Sequence, residues 1–87
     1  MELSELACAL EAVLFASGES VSEKKLCSVL EVDKQSLREA AGSLSDYYDF
    51  NRRGIRLLRL DDRYQLCSRP EYSRYVRSAM EVRRAPA

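Results

Sequence analysis

Two short stretches limit the folds open to this chain. In "VSEKKL" Ser22 stands as a helix N-cap with Val21 before it and Leu26 four residues after it, and eleven residues on, Val32, Asp33 and Leu37 repeat the arrangement. A Ser or Asp oxygen at an N-cap accepts a backbone N–H that has no partner inside the helix, and an apolar residue before the cap folds over the one at the fourth helical position. The first of these helices is therefore short, near Glu23 to Glu31, and about three residues join it to the next. Two stapled helices at that spacing predict a helix-turn-helix.

The flanking segments extend the pattern. Before the pair, Leu3, Leu6, Ala7, Leu10, Val13 and Leu14 recur every three or four residues, the period of one buried helix face, and Gly18 is a stop. A second, narrower strip, Cys8, Ala12 and Phe15, lies on the other side of that helix, divided off by Glu5 and Glu11. After the pair, the third helix places Leu37, Ala40, Ala41, Leu44, Tyr47 and Tyr48 at helical spacing and ends around Asn51 to Gly54.

"IRLLRL" and "RYQLC" then read as a β-hairpin turned at Asp61 and Asp62. Ile55, Leu57, Tyr64 and Leu66 are expected to face the core. Arg56 and Gln65 face outward, and Leu58 and Leu60 share that outer face. Pro70 opens a final short helix carrying Tyr72, Tyr75, Val76 and Met80. Helix, short helix, longer helix, hairpin, helix is the order of a winged helix, an α+β, mostly helical class with a C-terminal β-hairpin wing. Residues 1–82 are expected to form that one domain, and "RRAPA", residues 83–87, reads as the start of a linker to a second domain.

Length and charge narrow the role. A chain of 87 residues hides only roughly 60% of its unfolded surface, so a partner's contacts weigh heavily in its stability. Its formal net charge is zero, yet residues 1–50 carry minus six and residues 51–87 plus six. Such a dipolar chain can pair with a second copy or turn one basic face to an acidic partner. The three cysteines, Cys8, Cys27 and Cys67, are far apart, and histidine is absent. Neither a metal site nor a cofactor is expected; reduced, buried thiols in a cytoplasmic protein are. The apolar run from Leu3 to Ala16 lacks a basic leader and is interrupted by Glu5 and Glu11, which argues against a secretory or membrane segment.

The residues also resemble a family. "LEAVLFASGESVSEKKL" and "YQLCSRPEYSRYV", in this order and at this distance, look like the N-terminal winged-helix domain of segregation and condensation protein B (ScpB), a bacterial protein that works with an SMC ATPase and a kleisin subunit. The shared positions are Glu11, Leu14, Phe15, Ser17, Gly18 and Glu19, and then Tyr64 to Tyr72. The resemblance implies a non-enzymatic role in chromosome condensation and partition, a homodimer formed by this domain, and a missing second domain that grips the kleisin. It also implies a cytoplasmic, nucleoid-associated protein. Family members often have glycines in the wing turn and a proline after "S-G-E", where this chain has Asp62, Arg63 and Ser20.

Three function classes can be weighed on the residues themselves. Catalysis is disfavoured: there is no histidine to act as a base near neutral pH, no glycine-rich phosphate loop, and no base beside a cysteine. A small winged-helix DNA-binding transcriptional regulator is the alternative, with Lys34, Arg38, Arg52, Arg53, Arg56 and Arg59 as candidate nucleic-acid contacts. Its reading helix, however, begins at Asp33 and carries Glu39, Asp46 and Asp49. Acids beside phosphates make direct DNA binding weak or absent at cellular salt. A protein adaptor accounts for more of the sequence. Cys8, Ala12, Phe15, Leu58, Leu60, Tyr72 and Tyr75 exceed the needs of one small core, and tyrosine is favoured at protein interfaces. Arg63 and Arg69 are then expected to meet solvent or the acids of a neighbour.

Overall fold

In the computed structural model, which describes residues 1–84 and side chains through residue 80, the helix-turn-helix stands where its caps place it. Helix α1 spans Leu3–Ser17 and ends at Gly18, whose φ of 69° lies in the left-handed region that glycine adopts without strain. Strand β1 is the two-residue Val21–Ser22, helix α2 is Glu23–Leu30 and helix α3 is Lys34–Phe50. Ser22 Oγ accepts from the Lys25 N–H at 3.1 Å and Asp33 Oδ1 from the Ser36 N–H at 2.8 Å, so both predicted caps are made. Of the staple residues, Val21, Leu26 and Leu37 are buried, and Val32 is half-buried against the core.

The hairpin consists of β2, Ile55–Leu60, and β3, Arg63–Ser68, with Leu57 opposite Leu66 and Arg59 opposite Tyr64. Asp61 takes the left-handed conformation in the turn, at φ 55°. The sheet has three strands in the order β1-β3-β2, not the two of the expected wing, because Val21 pairs with Tyr64 and Ser22 with Arg63. A two-residue strand has no period to read, so only its partner reveals it. The core is built from Leu6, Ala7, Leu10 and Leu14 of α1, Leu26 and Leu30 of α2, Leu37, Ala40, Ala41, Leu44 and Tyr48 of α3, and Val21 and Tyr64 of the sheet. This is a winged helix.

Several expected positions move. Tyr47 lies outside the core, its ring edge-on to buried Tyr48, because Tyr48 follows the Leu37–Leu44 face and its neighbour is turned away from it. Ile55 sits at the exposed edge of the sheet. None of the three free cysteines is fully buried: Cys8 is exposed, and Cys27 and Cys67 are half-buried. Arg63 and Arg69 are held within the chain. Arg63 donates to Ser20 Oγ and O at 2.8 and 3.0 Å, and Arg69 donates to Arg53 O at 2.7 Å and Asp49 Oδ1 at 2.6 Å.

Pro70 opens a 3-10 turn, Pro70–Tyr72, and helix α4 follows over Ser73–Arg84. Arg83 and Arg84, read as the first linker residues, are the last of α4, while 85–87 lie outside the described residues. The 3-10 turn is α4's one substantial neighbour among the described residues. The helix extends away from the body, giving extents of 49 × 26 × 22 Å and a radius of gyration of 14.7 Å. A compact chain of this length would have about 12 Å.

Candidate functional site

Inside the molecule a polar clasp fixes the three layers to one another. Glu23 is the first residue of α2, and the period that turns Leu26 and Leu30 inward turns it inward too, leaving it 3% exposed. A buried carboxylate must be matched by charge and hydrogen bonds. Arg38 of α3 supplies both, donating from Nε at 3.0 Å and from Nη2 at 3.1 Å, and Tyr64 Oη of β3 donates at 2.9 Å. Arg59 approaches to 4.0 Å while its guanidinium lies 5.6 Å from the centre of the Tyr64 ring. The Arg38 bonds hold the Glu23 carboxyl down at about 2, against the opposing effect of burial, with Tyr64 assisting. Burial and the Glu23 charge in turn raise the Tyr64 phenol. The Glu23 N–H also donates to Asp62 O at 2.6 Å, tying α2 to the wing turn.

A second clasp joins α1 to α3: Tyr48 Oη donates to Glu11 Oε2 at 2.5 Å. Burial, then the Glu11 carboxylate, pushes the Tyr48 phenol far up. Neither clasp was legible as such, although the inward phase of Glu23 beside Leu26 and Leu30 was a signal. Both clasps are fully satisfied, and their chemistry is that of struts. Among the described residues no group of histidine, cysteine, aspartate and glutamate side chains is placed to hold a metal.

The surface offers binding chances of another kind. On the outer side of α1, Cys8, Ala12 and Phe15 are exposed, Phe15 by 78%. Beside them α1, α3 and the start of β2 enclose a groove of about 530 Å³, whose walls include Ala7, Cys8, Leu44, Tyr47, Tyr48 and Ile55. A second groove, holding Tyr72, meets the first at Arg53 and includes Asp49, Arg52, Arg69 and Glu71. On α4, Tyr75 is 61% exposed and Val76 is exposed too, as is Tyr72, the last residue of the 3-10 turn before it. On the wing, strand alternation puts Leu58 and Leu60 on the outer face with Arg56, Leu60 exposed and Leu58 half-buried. The proposed contact residues thus occupy three places: the α1 strip, the outer wing face and α4.

The candidate nucleic-acid residues do not form one patch. Arg38 and Arg59 turn to Glu23, and Arg59 Nε also donates to Asp61 O at 3.3 Å. Arg56 is on the opposite face of the hairpin from Arg59, with its Nε buried. Lys34, Arg52 and Arg53 are exposed, the first at the start of α3 and the other two beyond its end.

Comparison with known proteins adds to this geometry. The family model for segregation and condensation complex subunit ScpB matches residues 8–87. Segregation and condensation protein B of Ruminiclostridium cellulolyticum is 34% identical over 87 residues, which is all of this chain and 46% of the relative. The protein of that name from Acetivibrio thermocellus is 37% identical over 82 residues, covering 93% of this chain and 41% of the relative. The chain spans about half the length of these curated relatives. A crystal structure of a dimer of the ScpB N-terminal domain complexed with ScpA peptide superposes with a TM-score of 0.81 at 27% identity, over 88% of this chain and 96% of that one. ScpB from Mycobacterium tuberculosis has the same fold, with a TM-score of 0.89 at 18% identity over 100% of this chain and 54% of that one.

Proposed function

The chain belongs to the family of segregation and condensation complex subunit ScpB, and from that premise we propose that it is a homodimerising, non-enzymatic scaffold in chromosome segregation and condensation. The observation that carries this reading is α4. Twelve residues of helix stand away from the body with Tyr75 and Val76 exposed on one side, and Tyr72 is exposed in the turn just before them. An isolated helix of that length is marginal in water and draws its stability from packing of an apolar face. The missing packing is supplied by a second copy, and the exposed α1 strip offers further apolar area. The similar solved domain is itself a dimer with a bound ScpA peptide, which supports extending both the dimer and the kleisin partner to this protein.

In this mechanism two copies pack about a two-fold axis and hold two kleisin-binding second domains at a fixed separation, beside the SMC ATPase. The winged helix, residues 1–82, is the dimer-forming unit. The protein works in the cytoplasm at the nucleoid; no helix among the described residues is long and apolar enough to cross a membrane. Direct DNA binding is weak or absent, because two of the candidate arginines already serve Glu23 and phosphate contacts need free cations.

Light scattering over a dilution series in reducing buffer tests the reading. A dimer that persists to low micromolar concentration is the expected result. A monomer throughout, together with DNA binding that survives moderate salt, would replace it with the regulator reading.

A further inference from the structure

We propose that the two copies exchange their α4 helices, each seating its Tyr75–Val76–Ala79 face in the groove between α1 and α3 of the other. This rests on the dimer reading above and assigns it a particular contact.

Groove and helix match in three respects. The first is charge: α1 contains no basic residue, and α3 has none after Arg38; Glu11 lines the groove, and Arg53 at its rim is the one basic residue among its walls. Helix α4 contains four arginines and one glutamate. A basic helix lying over two acidic ones is drawn in and oriented by that difference. The second is chemistry of surface. The groove has apolar and aromatic walls in Ala7, Leu44, Tyr47, Tyr48 and Ile55, and its volume of about 530 Å³ has room for a tyrosine and its neighbours. Tyrosines bury large area while keeping a polar tip for the Ser4 and Ser43 hydroxyls at the groove walls. The third is extent. The exposed parts of two such faces, with the groove walls they cover, come to on the order of 1,000 Å², where specific interfaces begin.

Among the described residues none of α4 lines the chain's own groove. Arg69 anchors the chain to the body just before the 3-10 turn: its side chain is bound to Arg53 O and Asp49, and its N–H donates to Gly54 O at 2.9 Å. Because the Tyr72 groove meets the α1/α3 groove at Arg53, each helix leaves its body near the rim of the groove that receives its counterpart, which keeps a reciprocal two-fold exchange short.

Cys8, exposed at the groove, makes the contact testable in the 87-residue chain. In a background carrying Cys27→Ser and Cys67→Ser, Ala79→Cys puts a thiol on the proposed face. The protein is treated with a short bismaleimide, and circular dichroism and light scattering are recorded before treatment. The expected product is a species of twice the chain mass whose digest links the Cys8 peptide to the α4 peptide; adding Cys8→Ser should reduce its yield at least tenfold. A dimer by light scattering in which Cys8 is not linked to α4 would overturn the exchange and leave the dimer standing. A link within one chain would show α4 closing its own groove and overturn it as well, and a monomer would overturn both readings. Should the serine background fail to fold, Arg74→Glu with Arg77→Glu in the natural chain is the second test. A fall in association of tenfold or more is expected, and unchanged association would sink the exchange.

Discussion

Arg38 grips Glu23 with two hydrogen bonds, of 3.0 and 3.1 Å, across fifteen residues of sequence. The carboxylate is buried and the arginine half-exposed. The pair therefore joins the two helices of the helix-turn-helix at the cost of only one fully desolvated ion, and Tyr64 of the sheet completes it.

Removing the charge at Glu23 should cost stability beyond that of an ordinary surface change. Glu23→Gln keeps the shape but weakens charge-assisted bonds to Arg38 and Tyr64, which are worth about 1.5–3 kcal/mol each at most. The expected loss is about 2 kcal/mol by urea unfolding. Combining it with Arg38→Ala should cost less than the two losses added, since both act on one contact.

Glu23 also sets an acid limb of stability. Its folded value of about 2 lies below the ordinary 4.5, so its contribution is fully present above the ordinary value and is lost as pH falls through the interval toward the folded one. The urea midpoint of the natural chain should decline between these pH values. Glu23→Gln should show a shallower decline over the same range, and parallel curves would contradict the assignment.

Tyr48→Phe keeps the buried ring and deletes the bond to Glu11. A loss of about 1–2 kcal/mol is expected from a hydrogen bond to a carboxylate in a partly buried place. Glu11→Ala in the Tyr48→Phe background should then cost little more, because the contact is already gone.

The two caps should be separable. Ser22→Ala and Asp33→Ala each remove one side-chain acceptor from a helix start and should cost about 1 kcal/mol apiece. The thermal midpoint would fall by about 4–8 °C for each in a domain of this size.

Association should depend on exposed apolar groups that the monomer does not use. Phe15→Asp and Tyr75→Asp alter side chains exposed by 78% and 61%, so the unfolding free energy of the monomer should change by about 0.5 kcal/mol or less. The dimer constant by light scattering should weaken at least tenfold in each. Unchanged association in both would remove this surface from the dimer.

Local elements and inward faces could be read from the residues alone. A cap and its staple lie within five residues of each other, so Ser22 and Asp33 announced their helices. Period alone put Leu26, Leu37 and Leu44 inside. It also set Cys8, Ala12 and Phe15 on a separate side of α1. What meets across the layers was set by the packing of the elements in space. Glu23 finds Tyr64 over a separation of forty-one residues and Tyr48 finds Glu11 over thirty-seven. The two-residue β1 exists only because β3 lies beside it. The direction of α4 was likewise beyond reach, because the same apolar spacing serves a helix packed on its own body and one held out for another chain. Periodicity records which side of an element avoids water. Which surface then covers that side depends on the paths of all the other segments in space, and no short window of residues contains those paths.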